Sequence, residues 1–73
     1  MIVGVILHNL LGHFVALRLC NDEWYICNDV SITLLSRQTN ITFNDDIYMC
    51  DDKGFPINLV KTHATMVVYD MIH

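Results

Sequence analysis

Apolar residues fall in short runs separated by polar turn formers, a pattern that predicts strands and not helices. Ile2 to Leu7 is apolar and β-branched. His13 to Leu19 is mostly apolar, with His13 and Arg18 as its polar members. Glu23 to Cys27 holds Trp24, Tyr25 and Ile26, and Thr65 to Ile72 holds Met66, Val67, Val68 and Tyr69. Such near-continuous runs predict strands covered on both faces. Ile41 to Phe43 and Ile47 to Cys50 flank Asn44-Asp45-Asp46 and read as a hairpin. Asp51-Asp52-Lys53-Gly54 reads as a further turn, with Gly54 at a positive φ. Pro56 relegates Phe55 to Leu59 to an edge or loop. Helix is expected at most as a turn or two over Ser31 to Gln38, where nothing repeats convincingly at the helical period.

Composition narrows the class. The chain has 73 residues, 53% hydrophobic and 16% charged, with one Pro and three Gly, which excludes a disordered or collagen-like segment. There is room for one small core, and the apolar share is high for that size. Part of the apolar area is therefore expected to be covered by something outside the chain. Four Lys and Arg against eight Asp and Glu leave a net charge of -4, so no basic surface is available to track phosphates and nucleic acid is excluded as a partner. The acids pair as Asp22-Glu23, Asp45-Asp46 and Asp51-Asp52, each where a solvated turn is expected.

Met1 to Leu17 carries no charged side chain. It is nevertheless shorter than the roughly 20 residues a spanning helix needs. Gly4, His8, Asn9, Gly12 and His13 interrupt it and no basic stretch precedes it, so buried strands are expected and no membrane association. Cys20, Cys27 and Cys50 make an incomplete disulfide set without a Cys-x-x-Cys pair, which fits a reducing intracellular compartment, cytoplasmic or nuclear. His8, His13, His63 and His73 lack the spacing of metal ligands, and neither a metal nor another cofactor is expected.

The stretch from Gly12 to Asp29 carries the chemistry. If His13 to Leu19 and Trp24 to Asp29 pair through the intervening turn, Leu19 faces Trp24, Leu17 faces Ile26 and Val15 faces Asn28. His13 then shares a face with Asn28 and lies diagonal to it, at a Cα separation of roughly 7 to 8 Å. A two-residue turn at Asn21-Asp22 gives the same register. A three-residue loop would put Asp29 beside His13 instead. An imidazole beside an Asn or Asp oxygen is the base-and-orienter pair of a Cys-His-Asn or Cys-His-Asp site. The amide oxygen of Asn28 would accept the proton on one ring nitrogen and leave the other free to take a proton from a thiol. The blander reading is a strand-end histidine and a turn-forming asparagine.

Three segments extend this pattern: Val3-Gly4-Val5-Ile6-Leu7-His8, then Gly12-His13-Phe14-Val15-Ala16-Leu17, then Trp24-Tyr25-Ile26-Cys27-Asn28-Asp29. In order and spacing they resemble the histidine box of the ubiquitin-specific proteases, papain-like thiol hydrolases that cut ubiquitin from its conjugates. Ala64 to Asp70 is similar to the apolar closing strand of such domains, so the resemblance covers Met1 to about Ile32 and Val60 to Met71. It implies His13 as general base, Asn28 as third triad member, Asp29 as an assisting acid and His8 as strand-end support. The family's Asn-x-Gly-x-x-Cys nucleophile box has no counterpart here; Cys20, Cys27 and Cys50 read as small apolar residues. The position after the acid pair holds Val30 where the family has Ser, the family's early Gly is replaced around Asn9-Leu10, and residues 38–59 read as an insertion.

The expected architecture is a mainly β, antiparallel sheet resembling the carboxy-terminal palm part of a papain-like cysteine protease, α+β in the full domain. Residues 1–73 would form one partial domain. The implied function is the base-supplying half of a deubiquitinase that cleaves after Gly-Gly in ubiquitin or ubiquitin-like conjugates. The nucleophile would come from a second chain or an amino-terminal half. The alternatives are a non-catalytic ubiquitin-binding or scaffold module on the same fold, or a viral leader-type papain-like protease. A core this small, without disulfide or metal, also predicts self-association of the isolated chain.

Overall fold

The computed structural model describes residues 1–70. Two consecutive antiparallel pairings begin it. β1 (Ile2–His8) pairs with β2 (Phe14–Cys20), and β2 with β3 (Glu23–Asn28). β4 (Ser31–Leu34) adds to β3. A separate hairpin of β5 (Asn40–Phe43) and β6 (Asp46–Met49) follows, then the helix α1 (Ile57–His63) and β7 (Ala64–Tyr69), which returns to pair with β1. The five-stranded order is β4-β3-β2-β1-β7, and the mainly β, antiparallel expectation holds.

Turn chemistry explains the registers. Asn21 and Asp22 both take positive φ, 52° and 65°, as do Asn44 and Asp45, 51° and 66°. Two successive left-handed residues make the two-residue turn whose twist matches a right-handed hairpin, and Asn and Asp tolerate that conformation best after Gly. The next turn places Gly54 at φ +90° and donates Gly54 N–H to the Asp51 carbonyl at 3.0 Å, as the sequence predicts. Asp51 Oδ1 also accepts from the N–H groups of Lys53 and Phe55, at 2.9 and 2.8 Å. Lys53 reaches Asp22 Oδ2 at 2.6 Å, so this turn is tied to the β2–β3 turn; the Asp22 hydrogen bond and charge hold the Lys53 ammonium above its ordinary pKa.

Alternation along the strands sends Val5, Leu7, Val15, Leu17 and Trp24 to one face, where they pack with Leu35, Ile41, Phe43, Leu59 and Val60. The β5–β6 hairpin and α1 thus form a second layer over the five-stranded sheet. The opposite face carries Ile6, Phe14, Ala16, Cys27, Ile32, Met66 and Val68 in register across the five strands. Phe14 is 65% exposed and Ile32 70%. Coverage on both faces, expected from the apolar runs, is therefore corrected: the described residues cover one face and leave the other open.

Two further expectations change. Ser31 to Gln38 gives no helix; it is β4 followed by a turn closed by Gln38 N–H on the Leu35 carbonyl at 2.9 Å. Phe55 to Leu59 is no edge strand or simple loop, because buried Pro56 caps α1 and its carbonyl accepts from Val60 N–H at 3.1 Å. Proline fits immediately before a helix since its ring removes a donor that would have no partner there. Lys61 in the last turn places a positive charge at the negative end of the helix dipole. The closing strand ends at Tyr69; Met71 and Ile72, to which the sequence reading extends it, lie outside the described residues.

Within the second layer the hairpin and α1 are joined by a polar contact, Tyr48 Oη to His63 Nε2 at 2.9 Å, with the Phe43 ring 5.2 Å from the imidazole. Tyr48→Phe removes one partner of a part-buried bond and is expected to cost about 1 kcal/mol. A chemical denaturation midpoint unchanged from wild type would show that the bond is exchanged for water without loss.

Candidate functional site

Asn9 organises the loop that carries His13. Its Oδ1 accepts from the N–H groups of Leu11 and His13, both at 3.0 Å, and its own N–H donates to the His13 carbonyl at 3.0 Å. Gly12 supplies the positive φ, +84°, that brings the chain back into β2. His13 is exposed and stands one residue before β2, its main chain gripped on both sides by Asn9. Sequence reasoning treats Asn9 only as a departure from a family glycine. An Asn four residues before a strand-entry His, followed by Gly12, is a turn signal that could have marked it.

The β2–β3 pairing runs from Cys20↔Glu23 through Leu19↔Trp24 and Leu17↔Ile26 to Ala16↔Cys27. One step further along both strands sets Asn28 level with Val15. The two-residue Asn21-Asp22 turn therefore selects Asn28, not Asp29, for the packed-face parity of Val15 and Ile26. Asn28 and His13 lie at the same end of the sheet, and both are exposed. Among the described residues no hydrogen bond joins the His13 imidazole to Asn28 or Asp29. Asp29 follows in the β3–β4 turn, exposed, at a left-handed φ of 53° that costs a non-glycine residue about 1 to 2 kcal/mol.

His8 ends β1 opposite Phe14 and stacks on it, ring centroids 4.7 Å apart, on the open face. That geometry gives it a strand-end packing contact. All three thiols are free. Cys20 sits at the far end of β2 from His13, and Cys27 pairs with Ala16 on the open face, opposite in parity to Asn28. Burial pushes the Cys50 thiol up, and the neighbouring Asp51 charge adds to the rise, so this sulfur favours its non-nucleophilic form.

Beside Asn28 the sheet opens into a cleft of about 370 Å³. One wall is the loop of Asn9, Leu10 and Leu11; the other is the β5–β6 turn, Asn44 and Asp45. Leu10 N–H donates to Asn44 Oδ1 at 2.9 Å and holds the two walls together. Residues 38–59, expected as an insertion, thus contribute half of the walls. Among the described residues no cluster of His, Cys, Asp or Glu could hold a metal, and no helix is long and apolar enough to cross a membrane. No family model matches the sequence, and neither the curated proteins nor the solved structures contain a match.

Proposed function

We propose that this chain supplies the base and the orienting amide of a papain-like thiol hydrolase whose nucleophilic Cys belongs to another polypeptide. Its substrates would be ubiquitin or ubiquitin-like conjugates cut after Gly-Gly. The observation that carries the reading is the β2–β3 register, which sets Asn28 at the His13 end of the sheet with the parity the pair needs. The Asn9 clamp on the His13 main chain supports it by fixing the point from which the imidazole extends.

In this reading His13 takes the proton from the incoming thiol, and the thiolate attacks the carbonyl carbon of the second Gly of Gly-Gly. Asn28 Oδ1 accepts the other ring N–H and selects the tautomer. As the tetrahedral adduct collapses, His13 returns the proton to the departing amine. It then takes a proton from water, which attacks the thioester and releases the thiol and the free carboxylate. The positions of Cys20 and Cys27 and the raised pKa of Cys50 favour an outside nucleophile.

A second reading, a non-catalytic ubiquitin-binding or scaffold module, is favoured by the lack of a bond between His13 and Asn28 and by the open apolar face. The two are separated by mixing the full chain with the amino-terminal half of a ubiquitin-specific protease bearing the Asn-x-Gly-x-x-Cys box, and following release of coumarin from a ubiquitin carboxy-terminal amide. Turnover is expected only with both chains, and His13→Ala is expected to lower it by about 10²- to 10⁴-fold. Cleavage unaffected by His13→Ala would remove His13 as the base. Ubiquitin binding without turnover, insensitive to thiol alkylation, would select the second reading.

A further inference from the structure

β7 closes one side of the five-stranded sheet, and among the described residues β1 is the one strand that pairs with it. A terminal strand offers a row of unpaired main-chain groups, which proteins ordinarily blunt by keeping it short or by placing charge or proline on it. β4, the terminal strand on the other side, has only four residues. β7 has six, Ala64–Tyr69, with neither charge nor proline among them. Its one extra residue against β1, Thr65, lies near its start and leaves Met66 to Tyr69 unbroken.

The pairing with β1 decides which groups are free. Met1 and Asp70 exchange both main-chain bonds, each N to O at 2.9 Å. Asp70 therefore faces β1, and alternation gives Val68 and Met66, in register with Gly4 and Ile6, the same direction. Val67 and Tyr69 turn their N–H and C=O groups outward, and no turn or loop bond among the described residues uses them.

A second copy of the same strand complements this edge. Antiparallel pairing about a two-fold axis at Val67 sets Val67 against itself as a hydrogen-bonded pair and Tyr69 against Thr65 of the second copy. An axis at Met66 would set Tyr69 against His63, in α1, and one at Val68 would carry Thr65 past the end of the strand. On the open face Met66 then stands beside Val68 of the second copy, an apolar cross-strand pair. Charge agrees with this register. Asp70 is the only acid in or next to β7, so no like charges meet along it. It comes level with Ala64 of the second copy, beside the last turn of α1, where Lys61 has no ion-pair partner among the described residues.

We propose that two copies of this chain join β7 to β7, antiparallel about Val67, and merge their five-stranded sheets into one. This union extends the open apolar face and does not cover it. Neither His13 nor Asn28 takes part, so the dimer and the hydrolase reading stand or fall separately.

The test is sedimentation velocity of the full chain from about 5 µM to about 1 mM, the range in which small, weak interfaces associate. The mass is expected to rise from 8.4 kDa toward the dimer and no further. At about 80% dimer, amide hydrogen exchange should slow about fivefold at Val67 and Tyr69, whose N–H groups are free in the monomer, and less at Met66 and Val68, bonded in both forms. Val67→Pro deletes an outward N–H, spares the bonds to β1 and is expected to raise the dissociation constant about tenfold or more. Tyr69→Pro does the same near the strand end and replaces it if Val67→Pro impairs folding; if neither variant folds, the wild-type exchange pattern decides. A monomer throughout, growth past the dimer, equal slowing at all four amides, or a dimer that survives the folded proline variants would overturn the proposal. So would a dimer that Ile32→Lys weakens as much as Val67→Pro does, because the contact would then lie on the open face.

Discussion

Replacing Gly54 by Ala is expected to destabilise the chain by about 2 to 5 kcal/mol, a large share of its stability. The stability of a 73-residue domain is itself only about 4 to 11 kcal/mol. Two costs combine. The first is the left-handed backbone at φ +90°, which an L-residue with a Cβ adopts at about 1 to 2 kcal/mol. The second is steric. A Cβ at Gly54 would stand 2.6 Å from Ser36 N and 2.7 Å from both the carbonyl carbon and the Cβ of Leu35. Two of these atoms are main chain, and Leu35 is fully buried, so the neighbours cannot swing aside as a long side chain would.

Gly12 provides the control, because its φ of +84° is nearly the same and a Cβ there meets nothing within 4 Å. Gly12→Ala should therefore cost only the conformational part, about 1 to 2 kcal/mol. The difference between the two variants in urea denaturation isolates the clash with the Leu35-Ser36 segment. Equal losses would mean that the Asp51–Gly54 turn is not seated against the Leu35-Ser36 segment.

Gly54 also shows what the sequence could carry. Its positive φ was legible, because an Asp-Asp-Lys-Gly stretch between apolar runs demands a left-handed residue at its end. Its close approach to Leu35 was not, since nothing local says which part of the chain will lie beneath a turn. The same division holds elsewhere. Both hairpins were legible, but Asp46 belongs to β6 and not to the turn, and only the structure selects the two-residue Asn21-Asp22 turn whose register sets Asn28 at the His13 end. The helix after Pro56 was missed because seven residues span two turns, too few for a 3.6-residue repeat to stand out.

The candidate site divides likewise. That Asn28 falls at the His13 end of the sheet was legible from order and spacing, since two strands with a two-residue turn leave few ways to align them; a hydrogen bond between the two side chains is absent among the described residues. Asn9 was not, because its role is to hold a main chain and any turn-forming Asn looks alike in sequence. The cleft could not be foreseen at all. Its second wall comes from a hairpin some 15 residues beyond Asn28 in the chain, brought there by packing of Ile41 and Phe43 against the sheet.

The two faces of the sheet make opposite predictions, and the contrast carries the second large effect. Leu17 is fully buried at the centre of β2, flanked by Val5 on β1 and Ile26 on β3. Leu17→Ala removes its methyl groups from a packed site and leaves a cavity that the paired strands on both sides cannot close, at an expected cost of about 3 to 5 kcal/mol. Ile32, 70% exposed on the open face, should lose under about 0.5 kcal/mol as Ile32→Ala in the isolated chain. Thermal and urea unfolding of both variants at low protein concentration measures the difference. If Ile32→Ala cost as much as Leu17→Ala, the open face would have to be covered in solution. A loss that grows with protein concentration would then identify self-association as the cover, and one independent of it would mean that the chain packs on both faces of the sheet. The open face thus carries part of the exposed apolar surface, with other exposed apolar residues lying on loops and the β5–β6 hairpin, at Leu10, Leu11, Val30 and Ile47. Phe14, Ile32, Met66 and Val68 are apolar because of their place in that face, not because the chain buries them itself.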